Sequence, residues 1–197
     1  MPITIAIMTL IMVTSVIGFI NPIVKFNLML HPFSIFHHKQ VYRLITADFV
    51  HNDPIHLIIN ETVIFFACGT LETYLHGHYA RGSFLFLSIY LISMLGGAVI
   101  IAIRYHKDFD YSSSGASGSA IGSMFGYMIL QPHVAAFYLP MFGSIQNIYG
   151  AFLFVAGFII YQFRTKNPMV NNELHFYSAI TGAIFTLLLF HDQLVHW

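Results

Sequence analysis

The sequence is poor in charged residues and contains a single cysteine. Only 8% of its 197 residues are charged, whereas soluble domains carry about 25%. Lys and Arg together number eight, as do Asp and Glu, so the chain has no excess positive charge with which to bind nucleic acid. Cys68 alone cannot form a disulfide within the chain. These shortages exclude a disulfide scaffold and a nucleic-acid-binding protein, and they disfavour a soluble enzyme.

Hydrophobic residues make up 57% of the chain, and the mean hydropathy is +0.72. A helix needs about 20 mostly apolar residues to cross a bilayer, and only helices and closed barrels satisfy their backbone hydrogen bonds there. We therefore predict an all-α, multi-pass integral membrane protein, with nothing in the sequence to name the membrane. The six predicted spans are about 3–24, 55–75, 83–103, 117–130, 147–163 and 174–189.

The connection between the first two spans, about 25–54, is long and contains four phenylalanines and several histidines. A loop of this length with this apolar content is predicted to lie in the membrane interface and to pack on the helices. No repeat and no change of composition divides the sequence. We therefore predict a single transmembrane domain over residues 1–197.

A serine flanked by glycines stands at the start of the fourth span. Gly115-Ala-Ser117-Gly118 is followed by Gly122 and Gly126, and the last three glycines share one face that allows another helix to approach closely. Such a pattern commonly serves helix packing alone. Flanking glycines also leave the Ser117 hydroxyl unshielded and let backbone N–H groups point towards a developing oxyanion. The pattern therefore indicates either a packing surface or a nucleophile.

The sixth span presents a matching face of small residues. His175, Ser178 and Gly182 are spaced at i, i+3 and i+7 and so lie on one side of the helix. If this face packs on the glycine face of the fourth span, Ser117 and His175 come within hydrogen-bond reach at the same membrane side. A lone histidine would more often only bond two helices together, whereas the pairing with Ser117 suggests a nucleophile and its general base.

A third polar group lies at the start of the second span. His51 precedes Pro54, which suits the first turn of a helix, and His56 and Asn60 follow one turn apart on the same face. Both side chains can donate hydrogen bonds, which would suit an oxyanion. Bonding between helices is the alternative.

Metal chemistry finds little support in the sequence. No His-Glu-x-x-His motif of the intramembrane metalloproteases occurs, and the histidine boxes of membrane di-iron enzymes are also missing. We therefore expect neither a metal nor another cofactor.

Taken in order, these motifs resemble the rhomboid intramembrane serine proteases. The first loop contains Tyr42-Arg43, which is similar to the family's Trp-Arg pair, and each later motif falls on the expected helix. The residues that carry the resemblance are Arg43, His51, His56, Asn60, Gly69, Glu72, Gly115, Ser117, Gly118, Gly122, His175 and Gly182.

The resemblance implies a six-helix bundle around a water-filled site with a Ser–His dyad and no third acid. Ser117 would be the nucleophile and His175 the base, while His56, Asn60 and the Ser117 backbone N–H would form the oxyanion hole. Arg43, His51, Glu72 and the glycines would support the structure. The implied substrates are transmembrane proteins in the same bilayer, cut near the membrane surface. Three positions depart from the family pattern, namely Tyr42 for Trp, Ser178 for Gly and Ile121 for an aromatic residue.

Two other function classes stay open on the sequence alone. A non-proteolytic protein of the same fold could bind membrane helices without cutting them, although it would have no need of the Ser–His pair. A membrane redox protein would need pairs of metal-binding histidines on facing helices. The sequence specifies neither the physiological substrate nor the oligomeric state. The family orientation, with both termini cytoplasmic, also conflicts with the positive-inside rule, because most Lys and Arg would lie on the other side.

Overall fold

Helices form nearly all of the secondary structure in the computed structural model, which describes residues 1–139, 143–164 and 172–194. One antiparallel hairpin, β1 (Ala135–Leu139) and β2 (Gly143–Gln146), follows the eighth helix. The helices are α1 (Pro2–Ile20), α2 (Pro22–Leu28), α3 (Pro32–His38), α4 (Arg43–Thr46), α5 (Pro54–Val63), α6 (Gly69–His78), α7 (Gly82–Arg104), α8 (Ser117–Leu130), α9 (Asn147–Arg164), α10 (Asn172–Leu189) and α11 (His191–Leu194).

Three of the described helices are long and apolar enough to cross a membrane, namely Pro2–Ile20, Pro54–His78 and Gly82–Arg104. The second of these combines α5 and α6, which a π-helical turn at Ile64–Cys68 joins without a break. The helices α8, α9 and α10 coincide with the other predicted spans. An all-α, multi-pass membrane fold is therefore confirmed, with the short hairpin as an addition.

The first helix ends earlier than its hydropathy predicts. The apolar run continues to residue 24, but α1 stops at Ile20 and α2 starts at Pro22. Asn21 lies between them in an extended conformation, and its side chain accepts hydrogen bonds from the backbone of Ile23 and Val24. An N-cap of this kind starts a new helix. The connection between the first two spans therefore begins at Asn21 rather than at residue 25.

The long connection is folded against the helices rather than extended. The buried Arg43 side chain donates from Nη1 to the carbonyls of Phe26 and Met29, at 2.6 and 2.9 Å. Leu30 pairs through its backbone with Ser113, just before α8. The loop between α1 and α5 is therefore fixed to the segment that leads to Ser117. The prediction of one domain also covers residues 140–142, 165–171 and 195–197, which lie outside the described ranges.

Glu72 joins the first helix to the second span. Its carboxylate is fully buried and accepts from the Ile3 N–H at 3.1 Å, the Thr4 N–H at 2.8 Å and the Thr4 hydroxyl at 2.7 Å. The first turn of a helix leaves its N–H groups without intrahelical partners and favours negative charge. Glu72 on α6 therefore satisfies the start of α1.

The centre of the molecule is the packing of α8 against α10. A Cβ at Gly122 would lie 2.7 Å from the Ser178 carbonyl, and one at Gly182 would lie 2.6 Å from the Gly122 carbonyl. Further along, a Cβ at Gly126 would lie 2.9 Å from Thr186 Oγ1. The contacts advance together along both chains, so the two helices run parallel. Small residues let their backbones meet at this distance, and both helices start on the same side.

Candidate active site

Ser117 is the first residue of α8, and its side chain is partly exposed. Ala116 precedes it as the N-cap residue and contributes no side-chain cap. The backbone N–H groups of the first helical turn therefore remain available to a negatively charged group. A hydroxyl in this position lies next to donors that could stabilise an oxyanion.

His175 lies in the first turn of α10, directly opposite Ser117. The Ser117 Oγ and His175 Nε2 atoms are 2.6 Å apart, although the two residues are 58 positions apart in the sequence. Because α8 and α10 run parallel and touch through glycines, the starts of both helices lie at one level. A hydroxyl hydrogen-bonded to an imidazole nitrogen is the arrangement in which histidine takes a proton from a serine nucleophile.

His56 lies beside the segment that leads into α8. A Cβ at Gly115 would lie 2.8 Å from His56 Cε1 and 3.1 Å from His56 Nε2, so only glycine leaves room for the ring. Gly115 also has a φ of +115°, a region that residues with side chains rarely adopt. The start of α5 is fixed by Asp53, whose carboxylate accepts from the His56 backbone N–H at 2.9 Å. His56 is therefore held against Gly115, the residue two positions before Ser117.

Asn60 is one turn further along α5 and is 3% exposed. Its Nδ2 donates to the His56 carbonyl at 2.9 Å, which leaves the second Nδ2 proton for another acceptor. Its Oδ1 forms no hydrogen bond of standard geometry with the described residues, but the Asn60 side chain is close enough to His51 to act on the pKa of that ring. Asn60 thus lies behind His56, on the buried side of the helix.

His51 supports this group from the loop. Its Nδ1 lies 2.9 Å from the hydroxyl of Ser15 on α1, and its ring packs edge-on against His56 with centroids 5.0 Å apart. Burial, with a smaller contribution from a charge on His56, lowers the pKa of His51 to about 4. A neutral His51 therefore lies against His56 at neutral pH.

The hydrogen bonds described for Arg43 and Glu72 are to residues other than Ser117 and His175. Arg43 organises the loop through backbone carbonyls, and Glu72 holds the start of α1. Their described contacts are structural ones. Gly118, Gly122 and Gly182 lie in the interface of α8 and α10, as the face of small residues predicts.

The three departures from the family pattern occupy different places. Tyr42 lies beside the Arg43 guanidinium, which is 5.6 Å from the ring centroid. Ile121 is buried in a cluster with Phe125 and Ala179, between α8 and α10. The buried Ser178 hydroxyl has no hydrogen-bond partner among the described residues.

Sequence reasoning missed one buried acid close to this group. Asp48, in the 3-10 turn Ala47–Phe49, is bonded to Tyr90 on α7 and to Ser119 on α8. The Ser119 hydroxyl, two residues after Ser117, is bonded to Asp48 and to the Ala116 carbonyl. The available signal was a carboxylate between two apolar residues, Ala47 and Phe49, in a loop predicted to be packed.

The described residues contain no group of three or more His, Cys, Asp or Glu side chains that could hold a metal ion. His51, His56 and His175 lie near one another, but their rings contact Ser15, Gly115 and Ser117 respectively.

The model of the Rhomboid domain family matches residues 38–192, which is well over half of the chain. The match includes the loop with Arg43 and His51 and extends past His175. No curated protein matches the sequence.

Proposed function

Since the chain belongs to the rhomboid family of intramembrane serine proteases, which also has inactive members, we propose that it is an active endopeptidase. Its substrates would be transmembrane proteins in the same bilayer, cut near the membrane surface. Ser117 would act as nucleophile and His175 as general base. The family, which the order of the motifs predicted, is itself confirmed by the match over residues 38–192.

The observation that carries the proposal is the 2.6 Å contact between Ser117 Oγ and His175 Nε2. A protein that only binds membrane helices has no need of a hydrogen bond between this serine and this histidine. The partial exposure of Ser117 at the start of α8 also supports access by a peptide bond.

In the acylation step, Ser117 Oγ attacks the carbonyl carbon of the scissile peptide bond and its proton passes to His175 Nε2. The oxyanion that forms would be stabilised by the Ser117 backbone N–H together with donors from His56 and Asn60. When the intermediate collapses, the C–N bond breaks and His175 gives the proton to the leaving amine. The product is an ester between Ser117 and the N-terminal part of the substrate.

In the deacylation step, a water molecule attacks the ester carbonyl and its proton passes to His175. The bond to Ser117 Oγ then breaks, and Ser117 recovers its proton from His175. A free carboxylate is released and the dyad returns to its starting state. Neither step requires a third acid, because the proton moves directly between Ser117 Oγ and His175 Nε2 and between His175 and the leaving amine or the water.

The proposal is tested by cleavage of a transmembrane model substrate and by labelling with a fluorophosphonate probe. We expect Ser117→Ala and His175→Ala each to remove nearly all turnover and to match the double variant, because residues that act as one unit show non-additive losses. Ser114→Ala is the control, since the Ser114 hydroxyl donates to Asn52 and lies three positions from Ser117. It should keep its activity and its labelling.

A different outcome would identify the alternative. A wild-type protein that binds the model substrate, yet neither cleaves it nor takes up the probe, would be a non-proteolytic rhomboid-like binding protein. Full proteolysis by Ser117→Ala, in a preparation free of other proteases, would show that Ser117 is not the nucleophile.

A further inference from the structure

A buried acid lies behind α8, and the mechanism above does not use it. Asp48 is 6% exposed. The Tyr90 phenol donates to Asp48 Oδ2 at 2.5 Å, and Ser119 Oγ lies 2.9 Å from Oδ1 and 3.0 Å from Oδ2. Asp48 therefore connects the long loop to α7 and to α8 at a single point.

The number of protons available around Asp48 can be compared with the number of hydrogen-bond contacts there. Ser119 Oγ is also 2.8 Å from the Ala116 carbonyl, so Tyr90, Asp48, Ser119 and Ala116 form a chain of three contacts. With Asp48 ionised, the chain has only the hydroxyl protons of Tyr90 and Ser119, and one contact lacks a proton. With Asp48 neutral, its carboxyl proton fills the contact to Ser119, and the Ser119 proton is free for the Ala116 carbonyl.

The last acceptor of this chain belongs to the same peptide group as the Ser117 N–H. A peptide unit is planar, so the direction of the Ala116 carbonyl fixes the direction of the Ser117 N–H. The Ala116 carbonyl also accepts from the Ala120 N–H at 3.0 Å, and Ser119 adds a second bond. A hydrogen bond to a carbonyl polarises the whole amide and strengthens the N–H as a donor.

We propose that Asp48 is a positioning residue which, as a neutral carboxylic acid, donates to Ser119 so that Ser119 holds the peptide group carrying the Ser117 N–H. The inference rests on the proposed function, in which that N–H stabilises the oxyanion. Asp48 acts through Ser119 and Ala116 and does not touch the reacting atoms.

The surroundings of Asp48 favour the neutral form. The facing titratable groups are the Tyr90 phenol on α7 and the Cys68 thiol at the π turn, and both types of group are neutral near pH 7. No basic side chain in the described ranges forms an ion pair with Asp48. Arg43 on the same loop is directed to carbonyls instead. Burial raises the pKa of Asp48 to about 7, although the bonds from Tyr90 and Ser119 oppose that change.

The first test compares kcat and KM for a transmembrane model substrate in detergent micelles. Asp48→Asn supplies an amide that can accept from Tyr90 and donate to Ser119, so we expect nearly wild-type kcat. Asp48→Ala and Ser119→Ala break the chain, and we expect kcat to fall at least about tenfold with little change in KM, since misplaced groups can lose about 10²-fold. Asp110→Asn, at an exposed carboxyl of the α7–α8 loop, is the matched control and should behave as wild type.

The second test is the pH dependence of kcat. As pH rises through about 7, wild-type Asp48 loses its proton, and the ratio of wild-type to Asp48→Asn kcat should fall severalfold. If Asp48 had no role in positioning, kcat of the wild type and of Asp48→Asn would change in parallel with pH, and their ratio would stay constant.

A third measurement reads the state of Asp48 without any cleavage. At pH 6 the infrared spectrum of the wild type should contain a protonated-carboxyl stretch that is missing from Asp48→Asn and present in Asp110→Asn. Absence of this difference band would overturn the inference, as would an Asp48→Asn enzyme as impaired as Asp48→Ala. If the wild type showed the band yet neither cleaved nor labelled, the proposed function would fail and the positioning role with it, while the neutral state of Asp48 would stand.

Discussion

Gly115 meets two requirements that no other residue satisfies together. Its φ of +115° is open only to glycine at little strain, and a Cβ would lie 2.8 Å from the His56 ring. Since Gly115 is two residues before Ser117, the same position sets the path into α8 and the distance to His56. A single residue thus couples the backbone that leads into Ser117 to the position of the His56 ring.

The contributions of the two oxyanion candidates should differ from those of the dyad. If His56 and Asn60 donate to the oxyanion, His56→Ala and Asn60→Ala should each lower kcat by about 10²–10³ and leave measurable turnover. Ser117→Ala should leave almost none.

His133→Ala, at an exposed histidine in the turn after α8, serves as the control and should retain wild-type kcat. Thermal unfolding of each variant should be recorded beside the rates. A His56→Ala enzyme with unchanged kcat would remove His56 from the oxyanion hole.

At the scale of whole elements, the dyad depends on the contact between α8 and α10. Ser117 and His175 belong to different helices, and neither helix contains the other half of the site. Glycines at the interface let the backbones touch, so the starts of both helices are held at the same level. The distance between Ser117 and His175 is therefore a property of helix packing.

A methyl group in this interface should separate the two helices. In Gly182→Ala the new Cβ would lie 2.6 Å from the Gly122 carbonyl, and overpacking of this kind costs about 1–3 kcal/mol. We expect a lower unfolding temperature and, because His175 lies on the displaced helix, a lower kcat.

Gly77→Ala is the same chemical change in α6, where no atom lies within 4 Å of the added Cβ. This variant should be as stable as the wild type or slightly more stable, because alanine favours helix over glycine by about 1 kcal/mol. Equal unfolding temperatures for the two variants would show that the α8–α10 contact is not tight.

At the scale of the whole molecule, two buried groups of the long loop make stability depend on pH in opposite directions. Burial raises the pKa of Asp48 to about 7 and lowers the pKa of His51 to about 4. In the unfolded chain the pKa of an aspartate is about 3.9 and that of a histidine is about 6.5. Asp48 thus contributes stability that is fully present below pH 4 and is lost as pH rises to 7. His51 contributes stability that is present above pH 6.5 and is lost as pH falls to 4.

Between pH 4 and 6.5 the two contributions nearly cancel, so single variants should reveal them. Asp48→Asn leaves His51, and its stability should rise with pH across this range. His51→Gln leaves Asp48, and its stability should fall. Each slope is at most about 1.4 kcal/mol per pH unit.

Thermal unfolding of both variants and the wild type in detergent, from pH 4 to pH 7, measures these slopes. Asp110→Asn should follow the wild type, because that carboxyl is exposed. Parallel curves for Asp48→Asn and His51→Gln would contradict the assignment of opposite signs.

Composition and motif spacing were enough to predict the class of this protein. An apolar sequence with six separated runs predicts membrane helices, because a bilayer leaves the backbone few other ways to satisfy its hydrogen bonds. The order of the short motifs predicted the family, and the family match over residues 38–192 confirms it. The end of α1 was placed too late, because hydropathy does not register the Asn21 cap that starts α2.

The contacts that define the site required the tertiary structure. Ser117 meets His175 across 58 positions, Asp48 meets Ser119 across 71, and Glu72 meets Thr4 across 68. Each contact depends on how one helix is rotated and shifted against another, and that is decided by close packing along the whole interface rather than by local sequence. Residue types and their spacing determined which groups were available for chemistry. The packing of α7, α8, α10 and the long loop decided which of them meet, and it alone brought Asp48 to the helix that starts with Ser117.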